Sequence, residues 1–84
     1  MKVGVRYFAS IREAIGQGNE VVQTSAGTLA GLRDELIARG GPYASALARG
    51  RAVRLALDQV MADDEAIPLR EGCEVAFFPP VTGG

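Results

Sequence analysis

The residues with the clearest chemical potential are the last six, Pro79-Pro80-Val81-Thr82-Gly83-Gly84, which end on two glycines and a carboxylate. An enzyme can reach a terminal carboxylate down a narrow channel, and Gly83-Gly84 brings no Cβ to obstruct it and accepts φ angles closed to other residues. Pro79-Pro80 would hold the base of the arm extended and limit the freedom lost when it docks. The expectation is a flexible arm over residues 79–84 with Gly84 as its reactive position. The bland alternative for a Gly-Gly end is a frayed terminus. Competing chemistries lack their residues: there is no His, the single Cys73 has no disulfide partner, and no Cys/His cluster exists for a metal.

The elements that must position this arm come from one domain, since 84 residues bury only about 60 to 65% of the unfolded surface and leave nothing for a second core. Hydrophobic residues at 48% and charged residues at 23% are a globular balance. Nine basic and ten acidic residues give a net charge of −1, with Lys2 the only Lys. No basic stripe stands out, so nucleic acid is not an expected partner. Arg6 interrupts the apolar run a signal peptide needs, and no segment reaches the ~20 apolar residues of a membrane span. A cytoplasmic protein without a membrane partner is expected.

Alternation predicts a first strand over Lys2 to Phe8, with Val3, Val5 and Tyr7 inward and Phe8 on the polar face. Ser10-Ile11-Arg12-Glu13 fits a capping box and Gly16 a left-handed stop, which bracket a short helical turn. Glu20 to Thr24 reads as a second strand, with Gly18-Asn19 as a turn that could make a hairpin with the first. Thr28 is a plausible N-cap for a helix whose Leu29, Leu32, Leu36 and Ile37 form one apolar stripe, ended by Gly40-Gly41-Pro42. Tyr43 to Arg49 could add one more turn. Strands follow at Ala52 to Leu57, Val60 to Ala62 and Cys73 to Phe78, the last stopped by Pro79-Pro80. The order suits an α+β domain over residues 1–78, with a mixed sheet packed on one face by the Leu-striped helix.

Three segments carry a resemblance: Val-Arg-Tyr-Phe-Ala-Ser-Ile-Arg-Glu at 5–13, Leu-Ala-Leu-Asp-Gln at 55–59, and Gly-Cys-Glu-Val-Ala-Phe-Phe-Pro-Pro-Val-Thr-Gly-Gly at 72–84. Together they resemble the small, sulfur-carrying subunits of molybdopterin synthase, a family of ubiquitin-like β-grasp proteins. Two departures are Cys73, where that family usually has Asp, and Asp58, where Asn is common. The resemblance implies that an adenylating, ubiquitin-E1-like activating enzyme uses ATP on the Gly84 carboxylate, and that a sulfur source converts it to a thiocarboxylate. The arm would then enter the large subunit of the synthase, in a heterotetramer, and donate sulfur to a cyclic pterin precursor on the way to the molybdenum cofactor. The chain itself would bind no metal or cofactor and would not be catalytic alone.

For the partner surface, the resemblance implies an apolar face beside the arm with Phe8, Met61 and Phe78, continued by Pro79, Pro80, Val81 and Thr82. From the pattern alone, Phe8 and Phe78 could equally pack within the domain. Arg12 suits a rim ion pair with the large subunit or a solvated helix face. Asp63-Asp64-Glu65 reads as a solvated turn and Cys73 as a small core residue, with a reactive thiol as the minor alternative. Two other functions keep the same arm chemistry: a thiocarboxylate carrier for thiamine or tRNA thiolation, and a ubiquitin-like modifier joined to target lysines.

Overall fold

The computed structural model describes residues 1–80; Val81, Thr82, Gly83 and Gly84 lie outside the described residues. The order is β1 (Lys2–Tyr7), α1 (Ala9–Ile15), β2 (Asn19–Gln23), α2 (Leu29–Ile37), α3 (Gly41–Leu47), β3 (Arg54–Leu57), β4 (Val60–Ala62) and β5 (Glu74–Phe78). The five strands form one sheet in the order β2-β1-β5-β3-β4. β5 runs parallel to β1 and antiparallel to β3, while β1–β2 and β3–β4 are antiparallel. This is the mixed α+β sheet that the alternating segments predict.

One face of the sheet is the core. Val3, Val5 and Tyr7 of β1 and Val75 and Phe77 of β5 are buried, as the period of two requires, and they meet Leu29, Leu32 and Leu36 of α2. Each of these leucines is fully buried, a contribution of about 1.5–3 kcal/mol apiece. The Thr28 hydroxyl accepts from the Gly31 amide at 3.1 Å and caps α2 as expected. Cys73 is buried just before β5, in keeping with a core role.

Several local readings change. The strand stops at Tyr7, and Phe8 is the N-cap of α1 with no side-chain cap, so Ser10 lies inside the helix and no capping box forms. Ala9, at φ 50°, makes the corner that redirects the chain. Gly16 does end α1, at φ 91°. The β1–β2 connection contains α1, so the pair is not joined by a tight turn. Gly41-Pro42 opens α3 instead of only closing α2, because Pro near the first helical position costs no hydrogen bond. Asp58-Gln59, both at positive φ, form the two-residue turn between β3 and β4. Asp58 also accepts from the Glu74 amide at 2.9 Å, fastening that turn to the start of β5.

Two polar clusters lock the helical layer. Arg33, only 3% exposed, donates to the carbonyls of Leu47 (2.8 Å) and Ala48 (2.9 Å) at the end of α3 and to Glu65 at 2.9 Å. Glu65 also pairs with Arg49, so it is a structural anchor and not part of a solvated turn; Asp63 and Asp64 are exposed. At the other end, Glu20 accepts from Tyr7 (2.7 Å), Tyr43 (3.2 Å), Gln17 (3.1 Å) and Arg39 (2.9 and 3.0 Å). Burial alone would push the Glu20 carboxyl up, but the bonds from Tyr7, Arg39 and Tyr43 and the Arg39 charge outweigh it. The carboxyl is held below its ordinary value of 4.5.

A group held low in the folded state stabilises in full above its unfolded value and loses that contribution as pH falls through the folded one. Acid should therefore weaken the wild type below about pH 4.5, and Glu20→Gln should lower stability at pH 7 by about 1–2 kcal/mol while flattening that acid limb. Urea titrations across pH 3–7 measure this; parallel curves for the two proteins would remove Glu20 from the account. Arg33→Leu should cost about 1–3 kcal/mol, because it leaves the Leu47 carbonyl without a partner and takes one of two donors from the Ala48 carbonyl and from the Glu65 carboxylate. An unchanged urea midpoint would show that the buried guanidinium is dispensable.

Candidate functional site

The face of the sheet away from the helices carries the candidate site. By register, Arg6 of β1, Ala76 and Phe78 of β5, Arg54 and Ala56 of β3 and Met61 of β4 share it. Ala56 and Ala76 pair at its centre and are short enough to be almost covered by their surroundings. Around them Phe8 is 39% exposed and Met61 42% exposed, while Phe78 is half-buried. The rings of Phe8 and Phe78 meet edge to face, centroids 6.2 Å apart, and the Arg6 guanidinium lies over the Phe8 ring at 5.2 Å.

Thus Phe8, Met61 and Phe78 lie on or beside one open face, as the resemblance implies. Their placement follows from the strand period. Phe77 turns inward to stack on Tyr7, so Phe78 turns outward beside Arg54. The Phe8 amide donates to the Phe77 carbonyl at 3.1 Å and ties the start of α1 to the end of β5. Pro79 and Pro80, half-buried, carry the chain off this corner. Pro79 helps line a groove of about 150 Å³ whose other walls include Ile11, Ala46, Arg51 and Val53. The expected site residues Val81, Thr82, Gly83 and Gly84 fall outside the described residues.

The charges divide by position. Arg33, Arg39, Arg49 and Arg70 are all ion-paired. Arg6, Arg12, Arg51 and Arg54 are exposed and have no carboxylate partner among the described residues. Three of these stand beside the root of the arm, Arg6 and Arg54 by the two phenylalanines and Arg51 by Pro79, while Arg12 lies one helical turn after Phe8. Arg12 lies against Gly18, where a Cβ would come within 3.1 Å of its Nε. The sequence reading found Arg12 but not Arg6, Arg51 or Arg54. The outward phase of Arg6 and Arg54 in their strands was the available signal.

The five-stranded mixed sheet with its helices on one face and its last strand in the middle defines the class, a ubiquitin-like β-grasp protein. The model of the ThiS family matches residues 5–84, and the chain belongs to that family. It is 37% identical over 82 residues to a molybdopterin synthase sulfur carrier subunit of Escherichia coli, covering 98% of this chain and 99% of that one. It is 32% identical to small archaeal modifier protein 3 of Haloferax volcanii, with each chain covered in full. Among solved structures it is similar to a chain from the complex of subunits 1 and 2 of the molybdopterin-converting factor of Helicobacter pylori. That likeness has a TM-score of 0.69 at 28% identity and covers 100% of both chains.

The two phenylalanine neighbours at the end of β5 should respond oppositely to substitution. Phe78→Asp should cost less than about 1.5 kcal/mol, the scale of a lost aromatic pair, whereas Phe77→Ala should cost about 3–5 kcal/mol. Equal losses in chemical denaturation would place Phe78 in the core.

Proposed function

We propose that this chain is a sulfur carrier subunit of molybdopterin synthase, with residues 1–78 as its recognition domain and 79–84 as its reactive arm. The observation that carries this is the near full-length likeness to the Escherichia coli carrier subunit, joined to the Phe-Phe-Pro-Pro-Val-Thr-Gly-Gly ending. A carboxylate is a poor electrophile, so it must first gain a better leaving group. The Gly84 carboxylate attacks the α-phosphorus of ATP on the activating enzyme, pyrophosphate leaves, and an acyl adenylate forms. A sulfur donor then attacks the carbonyl carbon, and AMP leaves with the oxygen.

The resulting thiocarboxylate is ionised near neutral pH and nucleophilic without a neighbouring base, which suits a chain with no His. The large subunit receives the arm while Phe8, Met61 and Phe78 cover its apolar contact and Arg12 lies at the rim. Gly83 and Gly84 keep the tip narrow. Sulfur passes to a cyclic pterin precursor in the partner's site. A second reading, a protein modifier, draws on the likeness to small archaeal modifier protein 3. It uses the same adenylate with a lysine in place of the sulfur donor.

Incubation with the cognate activating enzyme, ATP and a sulfur donor should replace one oxygen of Gly84 by sulfur, read by intact mass. Conjugates on other proteins, with no thiocarboxylate, would instead select the modifier. Phe78→Asp should weaken binding to the large subunit about tenfold or more, a loss of about 1.4 kcal/mol. Unchanged binding would move the docking face elsewhere.

A further inference from the structure

An activated acyl group is attacked by any free amine it can reach, including those of its own domain. The chain has eight Arg and one Lys. Lys2 begins β1, and because β1 and β5 are parallel it lies at the end of the sheet opposite Phe78. Some six residues of strand separate the two levels, about 20 Å. The α-amino group of Met1 is at that same far end and donates to the Thr24 carbonyl at 2.7 Å. A six-residue arm spans at most about 20 Å when fully extended, so both amines lie at the limit of its reach. The cations beside its root, Arg6, Arg51 and Arg54, are arginines, and so is Arg12 on the helix that follows Phe8.

We propose that arginine at these four positions protects the activated terminus from self-acylation, supplying positive charge to the docking face while presenting no acyl acceptor. This rests on the reading that Gly84 is activated. A guanidinium stays protonated and non-nucleophilic at any physiological pH. A lysine at the same place would be about 0.4% free amine at pH 8 and, tethered within reach, would act at an effective concentration on the order of millimolar. Its free amine would attack the Gly84 carbonyl carbon, forming a C–N bond. The C–O bond to AMP would break, AMP would depart, and the ammonium proton would pass to solvent. The carrier would be lost as a cyclised chain lacking one water.

The test uses the full chain carrying Gly84 as an α-thioester, prepared by intein thiolysis, so that no activating enzyme is involved. Here the amine displaces the thiol by breaking the C–S bond. Wild type is compared with Arg51→Lys, with Arg54→Lys, with a variant carrying lysine at all four positions, and with Arg70→Lys. Arg70 pairs with Asp58 near the start of β5, away from the arm. At pH 8, wild type and Arg70→Lys should end as the hydrolysed acid. The four-lysine variant, and Arg51→Lys or Arg54→Lys singly, should give about tenfold or more cyclised product, with Gly84 joined to the new lysine in a tryptic peptide. Melting curves like those of the wild type establish that the variants are folded. Only hydrolysed acid from the four-lysine variant, or equal cyclisation of the wild type through Lys2, would overturn the proposal. Failure of the carrier reading would show separately, as absent ATP–pyrophosphate exchange with the activating enzyme.

Discussion

The rest of the structure depends on the position of β5. Although it is the last strand in sequence, it lies in the middle of the sheet, bonded on one side to β1 and on the other to β3. A central strand has two environments that alternate residue by residue, and here both are used. Val75 and Phe77 complete the core under α2, while Ala76 and Phe78 form part of the open face. The arm therefore leaves from the most constrained part of the molecule. Its exit cannot shift by one residue without exchanging Phe77 for Phe78 and emptying the core.

The same constraint sorts the charges. A net charge of −1 conceals two populations of arginine with different work. Arg33, Arg39, Arg49 and Arg70 hold helices and turns to one another through carboxylates and carbonyls. Among the described residues Arg6, Arg12, Arg51 and Arg54 have no such partners, and they stand toward the end of the sheet where β5 finishes. Unpaired cations beside an apolar patch favour an acidic rim on whatever docks there, and they raise its association rate more than its affinity.

What the sequence made legible was what local pattern controls. The alternation of β1 and β5, the stripe of α2, the Thr28 cap and the Gly16 stop each depend on residues a few positions apart, and each stands in the structure. Ser10 had the right spacing for a capping box, yet the helix starts two residues earlier, at Ala9 with Phe8 as its N-cap. Glu65 looked like one of three solvated acids because its partner Arg33 is 32 residues away. Glu20 gave no hint of its role, since Tyr7, Arg39 and Tyr43 reach it from three separate elements. For the site, the strand period put Phe8 and Phe78 outward, but only the resemblance favoured a docking face over ordinary packing. The strand period also turned Arg6 and Arg54 outward, but that they lack a carboxylate partner among the described residues is a property of the fold.

The proposed carrier function requires the domain to leave one partner before serving the next, and the size of the apolar face bears on that. Phe8, Phe78 and Met61 are already partly covered in the free chain, so completing their burial contributes about 1–2 kcal/mol each, or about 3–6 kcal/mol together. A micromolar complex needs about 8 kcal/mol net, after several more are spent on lost translational and rotational freedom. The face alone cannot hold a partner at that level. The remainder has to come from the charged rim and from insertion of the arm, where extended proline at 79 and 80 lowers the ordering cost. Affinity then depends on whether the arm is seated. On the proposed carrier function, a partner that finishes with the terminal group and expels the arm would keep only the weak apolar contact, and the domain would be free to dissociate toward the next enzyme.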